Sequence, residues 1–315
     1  MIKNIQVINS ESMTCLESIL ATVLSFWDKD YKMMWAESWG FSYKSDDNIP
    51  IGERINPDKK NIFESIEIFY GIKIKETVTS SVEEIIEAIN RETNNGVPVC
   101  IYIDAFWCSW FPLYQKQHLE RYCLALAIDQ DKIYCLDPQF SEEVQILNLS
   151  DFSNGFREYM TFDESVPDPN IFSAWKNSLY KNLEYLLDKT SAFDMMREFA
   201  DAINNIIDLS KEVSHYNDIN SVHLFRRLVY ISSARKNYAE ILKLISVNYN
   251  VPELIEYSNE LTNVSKKWKI VERTFFKSAF MKKKGDIYNQ ISNIVYEIAM
   301  HEEKIAIDLK TQFFK

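Results

Sequence analysis

The sequence predicts an α+β domain over residues 1–165 followed by an all-α helical bundle over residues 170–315. The chain of 315 residues exceeds the usual size of one domain. After Pro169 only one glycine, Gly285, and one proline, Pro252, remain. Strand-like patterns are confined to the first half, whereas the second half has the sparse turn residues typical of long helices.

Helical periodicity dominates the second half. Two stretches, 174–209 and 221–247, are amphipathic, and a third begins after Pro252 with apolar residues at steps of three and four. After Gly285 the spacing returns, with His301 at one of its seam positions. We therefore expect two antiparallel helices across a turn at 282–285. The residues of the two seams are Leu254, Tyr257, Leu261, Val264, Trp268, Val271 and Phe275, then Ile287, Ile291, Ile294, Ile298 and Ile305.

The first half mixes helices with short strands. A buried helix is predicted to begin at or just before Cys15, with cap residues between 9 and 12. Further helices are predicted over 61–70 and 82–90. Strand patterns occur at 96–104, 121–128 and 132–137, and a hairpin turn at 129–131 joins the last two. These elements predict helices packed on a small antiparallel sheet.

Composition excludes several classes of protein. A formal charge of −11 disfavours nucleic-acid binding. No run of 18 apolar residues predicts a membrane span, and the absence of a secretory signal favours a cytoplasmic protein without a membrane partner. Five cysteines without a C-x-x-C pair argue against disulfides and zinc. We therefore expect no metal and no bound cofactor.

Three residues form a candidate catalytic triad. Cys15 lies at a predicted helix start, where free N–H groups and the helix dipole stabilise a thiolate. His118, the only histidine of the first half, precedes a strand and is the candidate base. Asp137 ends the neighbouring strand and is placed to orient His118. Each has a structural alternative: a cysteine in an apolar helix is commonly a core residue, and Asp-Pro is a common strand-ending turn.

Five segments of the first half share a pattern with a known family. They are Cys15-Leu16-Glu17-Ser18, residues 36–43 (AESWGFSY), Gly96-Val97-Pro98-Val99 leading to Asp104, His118, and Tyr134-Cys135-Leu136-Asp137-Pro138. Over about residues 7–162, this pattern resembles the N-terminal domain of the butirosin biosynthesis protein H family, which has a papain-like, bacteriocin-peptidase-like cysteine fold. Thr14 and Ser38-Trp39 depart from it, because that family often has histidine before the nucleophile and a glycine-rich run.

The resemblance implies a cysteine-dependent acyltransferase of antibiotic or other natural-product biosynthesis. Cys15 would take an acyl group from a carrier-protein thioester, whose phosphopantetheine arm is the only cofactor involved, and pass it to a small-molecule or peptide amine. Asn9 matches the oxyanion glutamine of related peptidases. Two alternatives stay open: a hydrolase (thioesterase or peptidase) and a non-catalytic binding module. Candidate substrate contacts are Asp104, Trp39, Trp107, Trp110 and Tyr114.

A cluster of cations stands out in this acidic chain. Carrier proteins are typically acidic, so a local positive patch would dock an acyl or peptidyl carrier protein. The alternative is a solvated helix face. The seam helices also allow a homodimer. The candidate docking residues are Lys266, Lys267, Lys269, Arg273 and Lys277, followed by Lys282, Lys283 and Lys284.

Overall fold

The computed structural model describes residues 1–46, 48–58, 62–165, 171–205, 209–214, 222–281 and 285–314. The chain divides into two compact units. The first, here called the sheet unit, comprises Met1–Tyr31 and Ile66–Asp168, and the second, the helical unit, comprises Lys32–Ser65 and Pro169–Lys315. A mixed helix-and-sheet fold with a small antiparallel sheet and a helical C-terminal region is thus confirmed.

The sheet unit is built on six antiparallel strands. Its elements are α1 Cys15–Phe26, β3 Ile72–Val78, α4 Val82–Asn94, β4 Val99–Asp104, β5 Glu120–Asp129, β6 Lys132–Leu136, β7 Gln145–Asn148, α5 Leu149–Phe152 and β8 Glu158–Glu164, and α3 Ile62–Tyr70 spans the boundary between the two units in the sequence. The strands lie in the order β3-β8-β4-β5-β6-β7. Helix α1 packs on β5, and α4 packs on β4 and β5.

The predicted hairpin sets the register of the central strands. Strand β5 pairs with β6 so that Asp129 faces Lys132 and Leu124 faces Leu136, and Gln130 takes the positive φ that a tight turn requires. Strand β4 pairs with the other edge of β5. Because β5 is central and buried, its apolar run lies in the core, and its first residues come beside the ends of β4 and β6.

The helical unit contains the long helices that the periodicity predicts. In α10 the apolar seam is buried as expected, except that Tyr257 is half-buried. Helix α10 lies antiparallel to α11, because Trp268 is hydrogen-bonded to Glu302 and Tyr257 to Gln312. Of the turn predicted at 282–285, residues 282–284 lie outside the described residues, and Gly285 is the first residue of α11. The helices are α6 Ile171–Leu186, α7 Ala192–Asn205, α8 Leu209–Ser214, α9 His223–Asn248, α10 Leu254–Ser278 and α11 Gly285–Phe313.

One segment of the first half belongs to the helical unit. Residues 32–65 carry strands β1 Ser42–Tyr43 and β2 Ile55–Asn56 and the short helix α2 Ile51–Arg54. Trp39 and Phe41 are fully buried there, against Tyr238 and Trp268 respectively. The predicted division at residue 165 put this segment with the sheet, and its burial among the helices corrects that assignment.

None of the helices in the described ranges is long and apolar enough to cross a membrane.

Candidate functional site

Cys15 is the first residue of α1, as the sequence predicts. The cap is Thr14, two residues beyond the predicted cap region. Its hydroxyl accepts the Glu17 N–H at 3.2 Å, and the Glu17 carboxylate accepts the Thr14 N–H at 2.7 Å. This reciprocal capping box fixes the helix start, and with it the position of the half-buried thiol.

The surroundings of Cys15 favour the thiol over the thiolate. Burial raises the pKa of Cys15, and the positive charge of Arg121 and the backbone N–H groups of Tyr122 and Leu16 oppose that effect only in part. The negative charge of Asp137 raises the pKa further. The net direction is upward, so Cys15 is a protonated thiol at neutral pH.

Arg121, at the start of β5, is the partner of Asp137. Its Nη2 donates to both carboxylate oxygens, at 2.7 and 2.9 Å, and the Trp110 indole donates to one of them at 3.2 Å. The Asp137 side chain is 0% exposed and that of Arg121 is 5% exposed. The guanidinium also lies over the rings of Phe111 and Phe140. The predicted pairing of Asp137 with His118 is therefore wrong.

His118 pairs instead with Asp104, which the sequence analysis assigned to substrate contact. His118 Nδ1 lies 2.6 Å from Asp104 Oδ2, and because an ionised carboxylate only accepts, Nδ1 carries the proton. The other oxygen of Asp104 accepts the N–H groups of Phe106 and Leu119. The imidazole stacks on Phe106 and its side chain is 70% exposed. This dyad holds the base of the loop that connects β4 and β5.

Asn9, the oxyanion candidate, has its amide engaged. Its Oδ1 accepts the Ser18 hydroxyl at 3.1 Å, and its Nδ2 donates to the Gln139 carbonyl at 3.4 Å. Gln139 in turn donates to the Met13 carbonyl and accepts from Arg121. These bonds tie the turn after β6 to the start of α1. Beside the turn opens a cleft of about 290 Å³, lined by Val7, Asn9, Pro138, Gln139, Phe140, Ser141 and Glu142.

The aromatic candidates of the β4–β5 loop lie in different settings. Trp107 packs edge-to-face against Phe106. Trp110 packs against the core and donates to Asp137. The Tyr114 hydroxyl accepts from the neighbouring Gln115. Substrate contact by Trp107, Trp110 and Tyr114 stays a prediction.

Trp39 is not available to a ligand. It lies in the helical unit with no exposed surface, and its indole donates to Glu302 at 2.6 Å. The Glu302 carboxylate also accepts from Trp268 and from Arg235, which is itself fully buried. The assignment of Trp39 to the substrate is therefore wrong, because every polar atom of its side chain is used inside the bundle.

The docking candidates lie along α10. Lys266, Lys269, Arg273 and Lys277 are exposed, whereas Lys267 is half-buried and 3.5 Å from Glu297. Lys282, Lys283 and Lys284 lie outside the described residues.

Of the remaining histidines, His223 lies 3.8 Å from Glu53 and His301 lies 3.8 Å from Glu260, all in the helical unit, and His215 lies outside the described residues.

Two other observations bear on the chemistry of the chain. All five cysteines are free, and four of them are buried. Across the described ranges, no cluster of three or more His, Cys, Asp or Glu side chains is placed to hold a metal ion.

Sequence reasoning missed Arg121 and Gln139. The sequence did contain a signal for Arg121, because it immediately precedes the apolar run 122–128 of a central strand. A cation at that position requires a buried carboxylate, and the hairpin register brings Asp137 alongside. Gln139 gives no comparable signal, since its contacts depend on the tertiary position of α1.

No model of a known protein family matches this chain, and no curated protein sequence matches it either. The resemblance drawn from about residues 7–162 therefore stays a prediction.

Proposed function

We propose that the sheet unit is a papain-like domain that serves as a binding module and not as a cysteine-nucleophile enzyme. The observation that carries this proposal is the buried Arg121–Asp137 pair at Cys15. In a thiol triad an imidazole stands between the thiol and the carboxylate. Here the charged groups that act on the Cys15 thiol are a guanidinium and the carboxylate that it neutralises.

A guanidinium cannot replace an imidazole as a base. Arginine stays protonated in proteins and has no lone pair that could accept the thiol proton. Its charge stabilises a thiolate, but burial outweighs that effect at Cys15. Among the described residues, the groups that act on the thiol include no imidazole, and the net shift of the thiol pKa is upward, so neither usual route to an activated cysteine supports catalysis here.

The cleft beside α1 gives the module a place for a ligand. Its volume of about 290 Å³ suits a small molecule or one side chain of a peptide. Asn9, Gln139 and Ser141 line it with amide and hydroxyl groups that also hydrogen-bond within the protein, while Val7 and Phe140 contribute apolar surface. Such a lining suits a small ligand that shares hydrogen bonds with these groups and has a modest apolar part.

Acyl transfer from a carrier-protein thioester to an amine is the second candidate function. The observation that favours it is that the backbone N–H groups of Leu16 and Tyr122 both act on the thiol, as oxyanion and thiolate donors do. It would require a base other than Arg121, and the Asp104–His118 dyad is the candidate. The basic residues of α10 would then dock the carrier protein.

Alkylation of Cys15 separates the two candidates. We would treat the protein with iodoacetamide and follow the intact mass, with Cys15→Ala as the control that reports labelling of the buried thiols. A binding module should react no faster than free glutathione at neutral pH, and its rate should still be rising with pH beyond about 8.5, the pKa of an ordinary thiol. Rapid, selective labelling of Cys15 at neutral pH would overturn the proposal and favour acyl transfer.

Binding itself needs a separate measurement. Ligand-observed NMR with a panel of small amides would report occupancy of the cleft. Ser141→Trp should fill the cleft and abolish binding, whereas Ser153→Trp, at an exposed serine of the same unit, should not. Equal binding to both variants would mean that the ligand lies elsewhere.

A further inference from the structure

One face of α10 is basic over its last four turns. Lys266, Lys269, Arg273 and Lys277 are exposed and follow one another at steps of three and four, so they share one side of the helix. The opposite side carries the buried seam, including Trp268 and Phe275. We call these four residues, with Ile270, Phe280 and Met281, the basic face.

The cations of this face outnumber the acidic groups near them. Among the ion pairs of the described ranges, none involves Lys266, Lys269, Arg273 or Lys277; Lys267, off this face, pairs with Glu297. The only acidic residue between positions 262 and 281 is Glu272. It is half-buried; burial raises its pKa, and the charges of Arg273 and Lys269 lower it in part. One carboxyl group against four cations leaves the face with net positive charge.

Charge is also segregated between the units. The sheet unit has 9 Lys and Arg against 22 Asp and Glu, a net charge of −13, and the helical unit has 26 against 24, a net charge of +2. An anionic surface would therefore repel the sheet unit and attract the helical unit at this face.

Apolar side chains accompany the cations. Phe280 is 70% exposed, Ile270 51% and Met281 46%. They are not part of the seam, which is buried without them. Exposed apolar groups beside a lysine-rich stripe are typical of surfaces that insert shallowly between lipid headgroups.

We propose that the basic face docks the protein peripherally on an anionic lipid surface. Lysine supplies three of its four cations, and Lys282, Lys283 and Lys284 follow directly in the sequence, outside the described residues. Lysine is depleted at protein–protein interfaces, whereas clusters of four to eight cations on a helix are typical of binding to acidic lipids. Phe280 and Met281 add the apolar contribution. The inference does not depend on the chemistry at Cys15.

This surface departs from the sequence-based expectation of no membrane partner. That expectation considered spanning segments, and peripheral docking needs none. The competing occupant is an acidic soluble protein, such as a carrier protein, which would use the charges but not require a bilayer.

Vesicle co-sedimentation of the full-length chain tests the proposal. The probes are vesicles of phosphatidylcholine alone and vesicles in which one third is phosphatidylglycerol. Wild type should bind only the anionic vesicles, and bind less as salt rises. Lys266→Glu/Lys269→Glu/Lys277→Glu should weaken binding about tenfold or more. Phe280→Ser should weaken it severalfold without changing net charge.

The matched control reverses three exposed lysines elsewhere in the helical unit: Lys176→Glu/Lys236→Glu/Lys243→Glu. It has the same net charge as the test variant and should retain wild-type binding. Circular dichroism and thermal melting would check that each variant folds. Equal losses in both triple variants, or no binding of wild type to anionic vesicles, would overturn the proposal; the latter result would leave a soluble acidic partner as the occupant.

Discussion

Arg121 donates from a single nitrogen, Nη2, to both carboxylate oxygens of Asp137, at 2.7 and 2.9 Å. Neither charge has appreciable contact with solvent, and both charges act on the pKa of the Cys15 thiol. Removing one partner would leave an uncompensated buried charge. The pair therefore contributes to the stability of the sheet unit as well as to the properties of the thiol.

The first prediction is that Asp137→Asn strongly destabilises the protein. The amide cannot neutralise Arg121, and its NH₂ group would face another donor. We expect a loss of about 3 kcal/mol in the free energy of unfolding, measured by urea denaturation. Asp163→Asn, at an exposed position of the same unit, is the control and should change it by less than about 0.5 kcal/mol. Similar losses in both variants would contradict a specific role for the pair.

The second prediction is that Arg121→His activates Cys15. An imidazole next to Asp137 can accept the thiol proton, which a guanidinium cannot do. The rate of alkylation at neutral pH should rise about tenfold or more over wild type. Arg121→Lys keeps a cation without a base and should not raise it. If folded Arg121→His reacts at the wild-type rate, Arg121 does not occupy the position of a base.

Local patterns predicted much of the sheet unit. The start of α1, the strands β5 and β6 and their hairpin follow from periodicity and turn residues, which act over a few neighbouring positions. Strand β3 has an alternating pattern that the sequence analysis does not assign, β7 is only 4 residues long, and β8 is buried at five consecutive positions and so does not alternate. The hairpin register brings Arg121 near Asp137, but the placement of His118 depends on the β4–β5 loop, where Asp104 holds it, and no local pattern specifies that loop.

Long-range packing explains the other errors. Trp39 lies in one of the segments that carry the family resemblance, yet it is buried against residues of α9 and α11. His301 was assigned to the seam of α11 and is only half-buried, whereas the next residue, Glu302, is fully buried. Hydrophobic periodicity does not count a charged residue as a seam position. Glu302 occupies one because the buried Arg235 pairs with its carboxylate.

The third prediction concerns the helix start at Cys15. Thr14→Ala removes the side chain that caps α1 and should lower the free energy of unfolding by about 1 kcal/mol. Fraying of the first turn should also expose the thiol and speed its alkylation. Thr14→Ser should retain the wild-type free energy of unfolding and the wild-type rate of Cys15 alkylation. Ser81→Ala removes the equivalent cap of α4 and should cost similar stability without affecting Cys15. If both cap variants change the alkylation rate equally, the effect is not local to α1.

The last prediction compares two adjacent residues of α11. Glu302 accepts hydrogen bonds from Trp39, Trp268 and Arg235, and both members of its ion pair are 0% exposed. Glu302→Gln keeps the volume but leaves Arg235 without a counter-charge, and should cost about 3 to 5 kcal/mol. His301→Gln changes a half-buried side chain that lies 3.8 Å from Glu260, and should cost less than about 1 kcal/mol. Urea denaturation of both variants at neutral pH measures the difference. A larger cost for His301→Gln would mean that the histidine, and not the glutamate, occupies the stabilising position of the seam.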